Sequence, residues 1–266
     1  MTSRTTLADA LHQAGRWVES AEAFREAEAM QTMQNPRLYL VQIYRYCDLL
    51  LSRAEPEDGA GLAGLATNPE QAQRFREACQ EVRERAMQTL QWAEQKKLVA
   101  PLDLALNHLS LGRAQLGLAL TTHDPATPEE AEAEFTRSAE HLGRAVEELR
   151  QWGNEDDLPR SLLARAAFWR LHGNFTRAKS DLDEALEIAE RDSMRLFACD
   201  AHIEWARLCL QHEDAEAARE HVVLARKLVD ETGYGRRERE VRWLERKLGA
   251  GGRDVPSPST APSAGQ

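Results

Sequence analysis

The chain has 266 residues, with 34 basic and 44 acidic side chains, a formal net charge of −10 and 6% aromatic residues. That acidic balance argues against a nucleic-acid duplex as the main partner, because phosphate binding needs a net basic face. Ala, Leu, Glu and Arg dominate and strand-forming runs of Val, Ile and Thr are missing, so the chain reads as all-helical, with no parallel sheet to host a nucleotide.

In chain order, the start carries Asp9, His12 and Gln13 where a secretory signal needs an unbroken apolar core. No apolar run approaches the roughly 18 residues of a membrane span. A cytoplasmic protein with no membrane partner is therefore expected. Cys47, Cys79, Cys199 and Cys209 contain no C-x-x-C pair, and reduced thiols are expected. A first helical hairpin is predicted over residues 3–34, with Gly15 closing its first helix and Asn35-Pro36 ending its second. A second, over 37–98, opens with an aromatic helix bearing Leu40, Tyr44 and Cys47 on one face. Its Gly- and Ala-rich stretch 54–68 reads as an exposed loop. A third hairpin spans 101–152, with a second insertion at 121–130. A fourth and a fifth follow at 158–191 and 193–232, turning at Gly173-Asn174 and Glu213-Asp214. Pro36, Pro101 and Pro159 stand at the starts of first helices, where a missing amide donor costs nothing. A last helix, 235–248, is expected to cap the open end of the stack, and 249–266 have the Gly, Pro and Ser content of a disordered tail.

One pattern recurs down the chain. Ala178, Leu182 and Ala185 are matched forty residues later by Ala218, Val222 and Ala225. The same small-large-small series occurs at Ser20, Phe24 and Ala27, at Ala86, Leu90 and Ala93, and at Ser138, Leu142 and Ala145. Residues spaced i, i+4, i+7 share one helix face, and small residues at its ends let a neighbouring backbone approach around one bulky knob. A hairpin built this way is only half buried alone and must stack on another, which predicts an all-α, right-handed superhelix of about five helix pairs.

Candidate chemistry is sparse. Cys199, His202, Cys209 and His212 repeat a C-x-x-H spacing on one helix, but a rise of roughly 1.5 Å per residue separates the two pairs by about 15 Å, too far for one zinc ion. The segment HEDAEAAREH has Glu216 where a zinc protease needs histidine, and no phosphate-binding G-x-x-x-x-G-K-[ST] or nucleophile elbow occurs. No enzyme, cofactor or metal site is expected. A binding surface is: the small-large-small series resembles that of tetratricopeptide arrays, and the resemblance implies that first helices line a concave side. The i, i+4, i+7 register then projects Leu40, Tyr44, Leu109, Arg113, Leu163, Arg170, Ile203 and Arg207 into the groove. Arg113, Arg170 and Arg207 would form a basic ladder suited to an acidic protein or peptide segment with apolar anchors. The competing expectation is that these arginines pair with neighbours such as Glu204 or Asp200.

The N-terminal residues Leu7, Ala8, Leu11, Gly15, Trp17, Ser20, Phe24 and Ala27 resemble the tetratricopeptide repeat (TPR). Strings such as LYLVQIYRYCDLLL, LDLALNHLSLGRAQL and MRLFACDAHIEWARL, in this order, resemble the C-terminal repeat region of bacterial STAND-type (NACHT- and NB-ARC-like) signalling ATPases. Ala133 and Glu213 depart from that pattern, standing where a turn glycine is usual. The resemblance implies a non-catalytic sensor or adaptor region that engages a ligand or partner and relieves restraint on a nucleotide-driven switch, with the ATPase or effector part in a longer gene product. A small-molecule-binding regulatory superhelix, with a pocket closed by the two insertions, and a structural oligomerisation module are the alternatives.

Overall fold

The computed structural model describes residues 2–30, 41–96, 100–122 and 128–250. Among them the elements are α1 (Thr2–Gln13), α2 (Trp17–Ala29), α3 (Val41–Ala54), a 3-10 segment (Gly61–Thr67), α4 (Pro69–Lys96), α5 (Pro101–Thr121), α6 (Pro128–Gln151), α7 (Leu158–Leu171), α8 (Phe175–Arg191), α9 (Arg195–Gln211), α10 (Ala215–Thr232), a second 3-10 segment (Gly235–Arg237) and α11 (Glu238–Ala250). No strand occurs among the described residues. Leu40, the Asn35-Pro36 boundary, residues 123–127 of the second insertion and residues 251–266 lie outside them.

Each odd-numbered helix from α1 to α9 packs on the even-numbered helix that follows it, and also on the next odd-numbered one, so that α1, α3, α5, α7, α9 and α11 form a continuous inner layer. The small-large-small knobs explain why. Phe24, Leu142 and Leu182 are fully buried, and so are the small residues flanking each of them. At two of the small positions the close approach carries a hydrogen bond: Ser20 Oγ donates to the Ala8 carbonyl at 2.7 Å, and Ser138 Oγ to the Gly112 carbonyl at 2.8 Å. The second copy departs from the pattern. Leu90 is only half-buried, and α4 instead seats Phe75, Cys79 and Val82 in the core, ahead of the expected series.

The turns repeat one geometry. At Gly15, Gly153, Gly173, Ser193 and Glu213 the backbone takes a positive φ, and the next residue's N–H reaches back five positions, as from Asn174 to Trp169 at 2.8 Å and from Asp214 to Cys209 at 3.0 Å. This satisfies a helix-end carbonyl that would otherwise be orphaned. Asn174 and Asp214 then cap the following helix through their side-chain oxygens. Glu213 occupies the glycine position as a left-handed residue, whereas Ala133 lies inside α6 and not at a turn.

Residues 54–68 are not an exposed loop. Pro56, Ala60, Gly61 and Leu65 are buried, because the 3-10 segment folds inward against α4 and α5. A Cβ on Gly61 would lie 2.7 Å from Arg207 Nη2, so the insertion reaches across the interior to α9.

The C-terminal elements do more than cap the stack. Gly235 packs against the α1–α2 turn so closely that its Cβ would lie 2.4 Å from the Ala14 carbonyl oxygen. Arg236 donates to Gln13 at 3.4 Å, Arg239 covers the Trp17 ring at 5.0 Å, and Arg246 donates to the Asp58 carbonyl at 3.1 Å. The two ends of the superhelix therefore touch, and the concave groove becomes a partly enclosed interior.

Candidate ligand-binding chamber

The inner layer surrounds a cavity of about 670 Å³. Its apolar wall includes Leu102, Leu116, Leu163, Ala167, Leu196 and Ile203, and its polar wall is built almost entirely of arginines and carboxylates. A volume of this size falls in the range of about 300–1,000 Å³ typical of small-ligand pockets.

Of the projected groove residues, Tyr44, Arg113, Leu163, Arg170, Ile203 and Arg207 line this chamber. Leu109 does not: it is fully buried in the core between Leu106 and Leu142. The helix is packed on several sides at that position, so the register face opens into the chamber at Arg113 and Leu116 but is enclosed by protein at Leu109.

The basic ladder is internally neutralised. Arg170, on α7, is 7% exposed and pairs with Glu204 on α9. Arg207 reaches Glu204 at 3.2 Å and also pairs with Glu240 of α11. Arg237 continues the series to Glu240 at 2.5 Å and to Asp200 at 2.6 Å, and Asp200 also accepts from the Tyr234 hydroxyl at 3.2 Å. Burial alone would raise the carboxyl groups, but the neighbouring guanidiniums win: Arg237 and Arg207 hold Glu240 down, and Arg170 and Arg207 hold Glu204 below the usual carboxylate range. Glu204 is thus the partner of two ladder arginines, while Asp200 serves Arg237.

A second cluster sits at the junction of the two chain ends. Asp48, on α3, receives Arg236 through both oxygens at 2.6 and 2.8 Å, and Arg113 at 2.6 Å. Against the cost of burial, these two guanidiniums hold Asp48 well below its ordinary value. One turn earlier on α3, Tyr44 lies under the Arg160 guanidinium at 5.2 Å, and the Phe197 ring lies at the same distance from that guanidinium. Arg160 is fixed further by Asp157 at 2.8 Å. Glu55, which lines the same chamber, moves the other way: burial and then the Glu240 carboxylate push its carboxyl up, and the nearby arginines fail to offset this.

Asp48, Arg160, Phe197, Arg236, Arg237 and Glu240 escape a repeat-register argument because three of them lie beyond the repeats and Arg160 and Phe197 stand in the first turns of α7 and α9. A signal for Asp48 is present: a carboxylate inside YRYCDLLLS, an otherwise apolar aromatic helix, must find a cation when buried.

The cysteine-histidine spacing on α9 does not converge. Cys199 Sγ faces the Ala225 carbonyl at 3.7 Å, His202 pairs with His221 at 3.0 Å, and His212 packs edge-on to Phe175. No group of metal-ligating side chains comes together among the described residues, and no helix there is long and apolar enough to cross a membrane.

No protein-family model matches the sequence, and no curated protein matches it. Among solved structures the chain is similar to a thermophilic TPR protein of Thermus thermophilus, with a TM-score of 0.57 at 13% identity over 93% of this chain and 98% of that one. The architecture is therefore that of a TPR-like, right-handed α-α solenoid.

Proposed function

We propose that the chain is a non-enzymatic recognition scaffold that takes a short protein or peptide segment, or a ligand of similar bulk, into the chamber formed by its first helices. The observation that carries this reading is the chamber itself, lined by apolar residues of α5, α7 and α9 interspersed with ion-paired arginines. Such walls orient a ligand and bury its apolar groups; they do not set a nucleophile beside a base. The STAND-like strings support a further role as the sensor or adaptor region of a cytoplasmic bacterial signalling system. In that role, occupancy of the chamber would be passed to an ATPase or effector part of a longer product.

The test is a fluorescence-polarisation screen of hexapeptides with acidic and apolar positions against the wild type and Ala167→Leu, which fills the chamber without removing an ion pair. Binding to the wild type that the variant loses supports the reading; equal binding to both places the site elsewhere. A small-molecule ligand is the second reading. It is favoured by the inward-folded 3-10 segment and by the Gly15–Gly235 contact, which leave less room for a polypeptide to pass through than an open groove would.

A further inference from the structure

We propose that the chamber's ligand is an organic anion, a carboxylate carried on an apolar body, held by the guanidiniums of Arg113 and Arg160, both of which act on Tyr44. This rests on the reading of the chamber as the binding site and names what that site selects.

Charge is the first reason. Eight arginines and seven carboxylates line the chamber, and Arg195 is neutralised from outside by Glu231, which leaves seven of each on the wall. The least-balanced guanidinium has a location. Arg207 and Arg237 each engage two carboxylates, whereas Arg113 and Arg236 share Asp48 alone, and Arg236 takes both of its oxygens. Arg113 holds Asp48 through a single Nη1 contact at 2.6 Å. Glu55, on which Arg113 also acts, is pushed up by burial and then by the Glu240 carboxylate, so it offsets Arg113 less than an ordinary carboxylate would.

Access is the second reason. Arg113 and Arg160 keep 22% and 26% of their side-chain surface open, against 8% for Arg170 and 7% for Arg236. Both act on Tyr44, Arg160 from over the ring. Arg160 is also packed against Phe197 and tied to Asp157, so its planar head is already oriented before a ligand arrives. Leu116, Leu163, Ala167 and Ile203, all in the lining, supply the apolar surface for the body of the ligand. A planar guanidinium and an oriented neighbour suit a carboxylate, whose two oxygens can each accept a charge-assisted hydrogen bond.

The experiment uses the full chain and three probes with the same body: 4-phenylbutyrate, 4-phenylbutyramide and 4-phenylbutylamine, each titrated by calorimetry and by thermal shift. The acid is expected to bind at least about tenfold more tightly than the amide or the amine. Arg113→Gln is expected to lose about tenfold in affinity for the acid while its Tm stays near the wild-type value, because Asp48 keeps Arg236. Ala167→Leu is expected to lose binding altogether. A hexapeptide with a free C-terminal carboxylate and its amidated twin, run alongside, identify the source of the carboxylate: preference for the free acid assigns it to a peptide end, and indifference between the twins, with phenylbutyrate still bound, assigns it to a small molecule.

Equal affinity for acid and amide, tighter binding of the amine, or full affinity in Arg113→Gln overturns the anion assignment. If the amine or the amide binds and Ala167→Leu abolishes that binding, the chamber stands as the site and only its charge preference is lost. If no probe and no peptide of the screen binds, the anion assignment and the chamber reading both fall.

Discussion

At the scale of single residues, Asp48 has the most consequence. It is a buried carboxylate holding two arginines that come from α5 and from the far end of the chain. Removing one partner of a buried ion pair leaves an uncompensated charge and costs about 3–5 kcal/mol. Asp48→Asn is therefore expected to lower unfolding stability in urea by that amount; a loss below about 1 kcal/mol would mean that the two guanidiniums find other acceptors. Arg207 changes its meaning in the same way. Read as a free groove cation, its replacement by glutamate should weaken binding and leave the fold intact. Buried between Glu204 and Glu240, Arg207→Glu places a third carboxylate among two, and its expected effect is loss of the folded state.

Histidines supply the pH dependence. His108 pairs with His141 at 2.8 Å and His202 with His221 at 3.0 Å. Burial first, and the partner ring second, push both His108 and His202 down to about 4. An unfolded histidine titrates near about 6.5. Between those values the unfolded chain binds protons that the folded chain refuses, so stability is fully present above about pH 6.5 and falls as the pH drops toward 4. Urea midpoints measured across that window should show the decline, and the double variant His108→Gln, His202→Gln should make it shallower, with His12, His141 and His221, also pushed down by burial, keeping their share. A slope unchanged by the double variant would assign the decline to other groups.

At the scale of elements, the hairpins are specified locally. The small-large-small knobs set which face of each second helix is buried, and the left-handed turn residue sets where each first helix stops. Glu213 bears the conformational cost that Gly173 avoids at the equivalent position, since a side chain in the left-handed region crowds the following carbonyl. Glu213→Gly is expected to raise stability by roughly 0.5–1 kcal/mol, less than the full steric term because glycine also loosens the unfolded chain. Thermal unfolding checks it; an unchanged or lower Tm would mean that the carboxylate of Glu213 contributes at the turn. The departures from the pattern are equally local. In α4, Ala86 and Ala93 are buried but the knob between them, Leu90, is only half-buried, and Phe75, Cys79 and Val82 join the core ahead of that series.

At the scale of the molecule, the distinguishing feature is that the ends meet. Gly235 has an ordinary φ, so alanine there is acceptable to its own backbone and collides only with the α1–α2 turn, 2.4 Å from the Ala14 carbonyl oxygen. Gly235→Ala is therefore expected to separate the two ends and leave each hairpin intact. Small-angle scattering should report a larger radius of gyration with unchanged helical circular dichroism, and ligand binding in the chamber should weaken with it. A radius equal to that of the wild type would show that the turn yields locally.

Helical content, the knobs other than Leu90, the turns at Gly15, Gly173 and Glu213 and the stacking of hairpins are legible in the order of amino acids, because each depends on residues within one or two turns of one another. The same register brings Tyr44, Arg113, Leu163, Arg170, Ile203 and Arg207 to one interior. The pairing of Arg207 with Glu204, one turn away, is within reach of the sequence, whereas the longer pairings of these arginines follow from the packed molecule alone. Their partners Glu204, Asp48 and Glu240 lie 34, 65 and 33 positions away in the chain, and whether two charges so separated meet depends on how much each hairpin rotates against the last. The same summed rotation carries Gly235 back to Gly15, turning a groove into a chamber. Small angular increments accumulate over five hairpins, and no local pattern encodes their total.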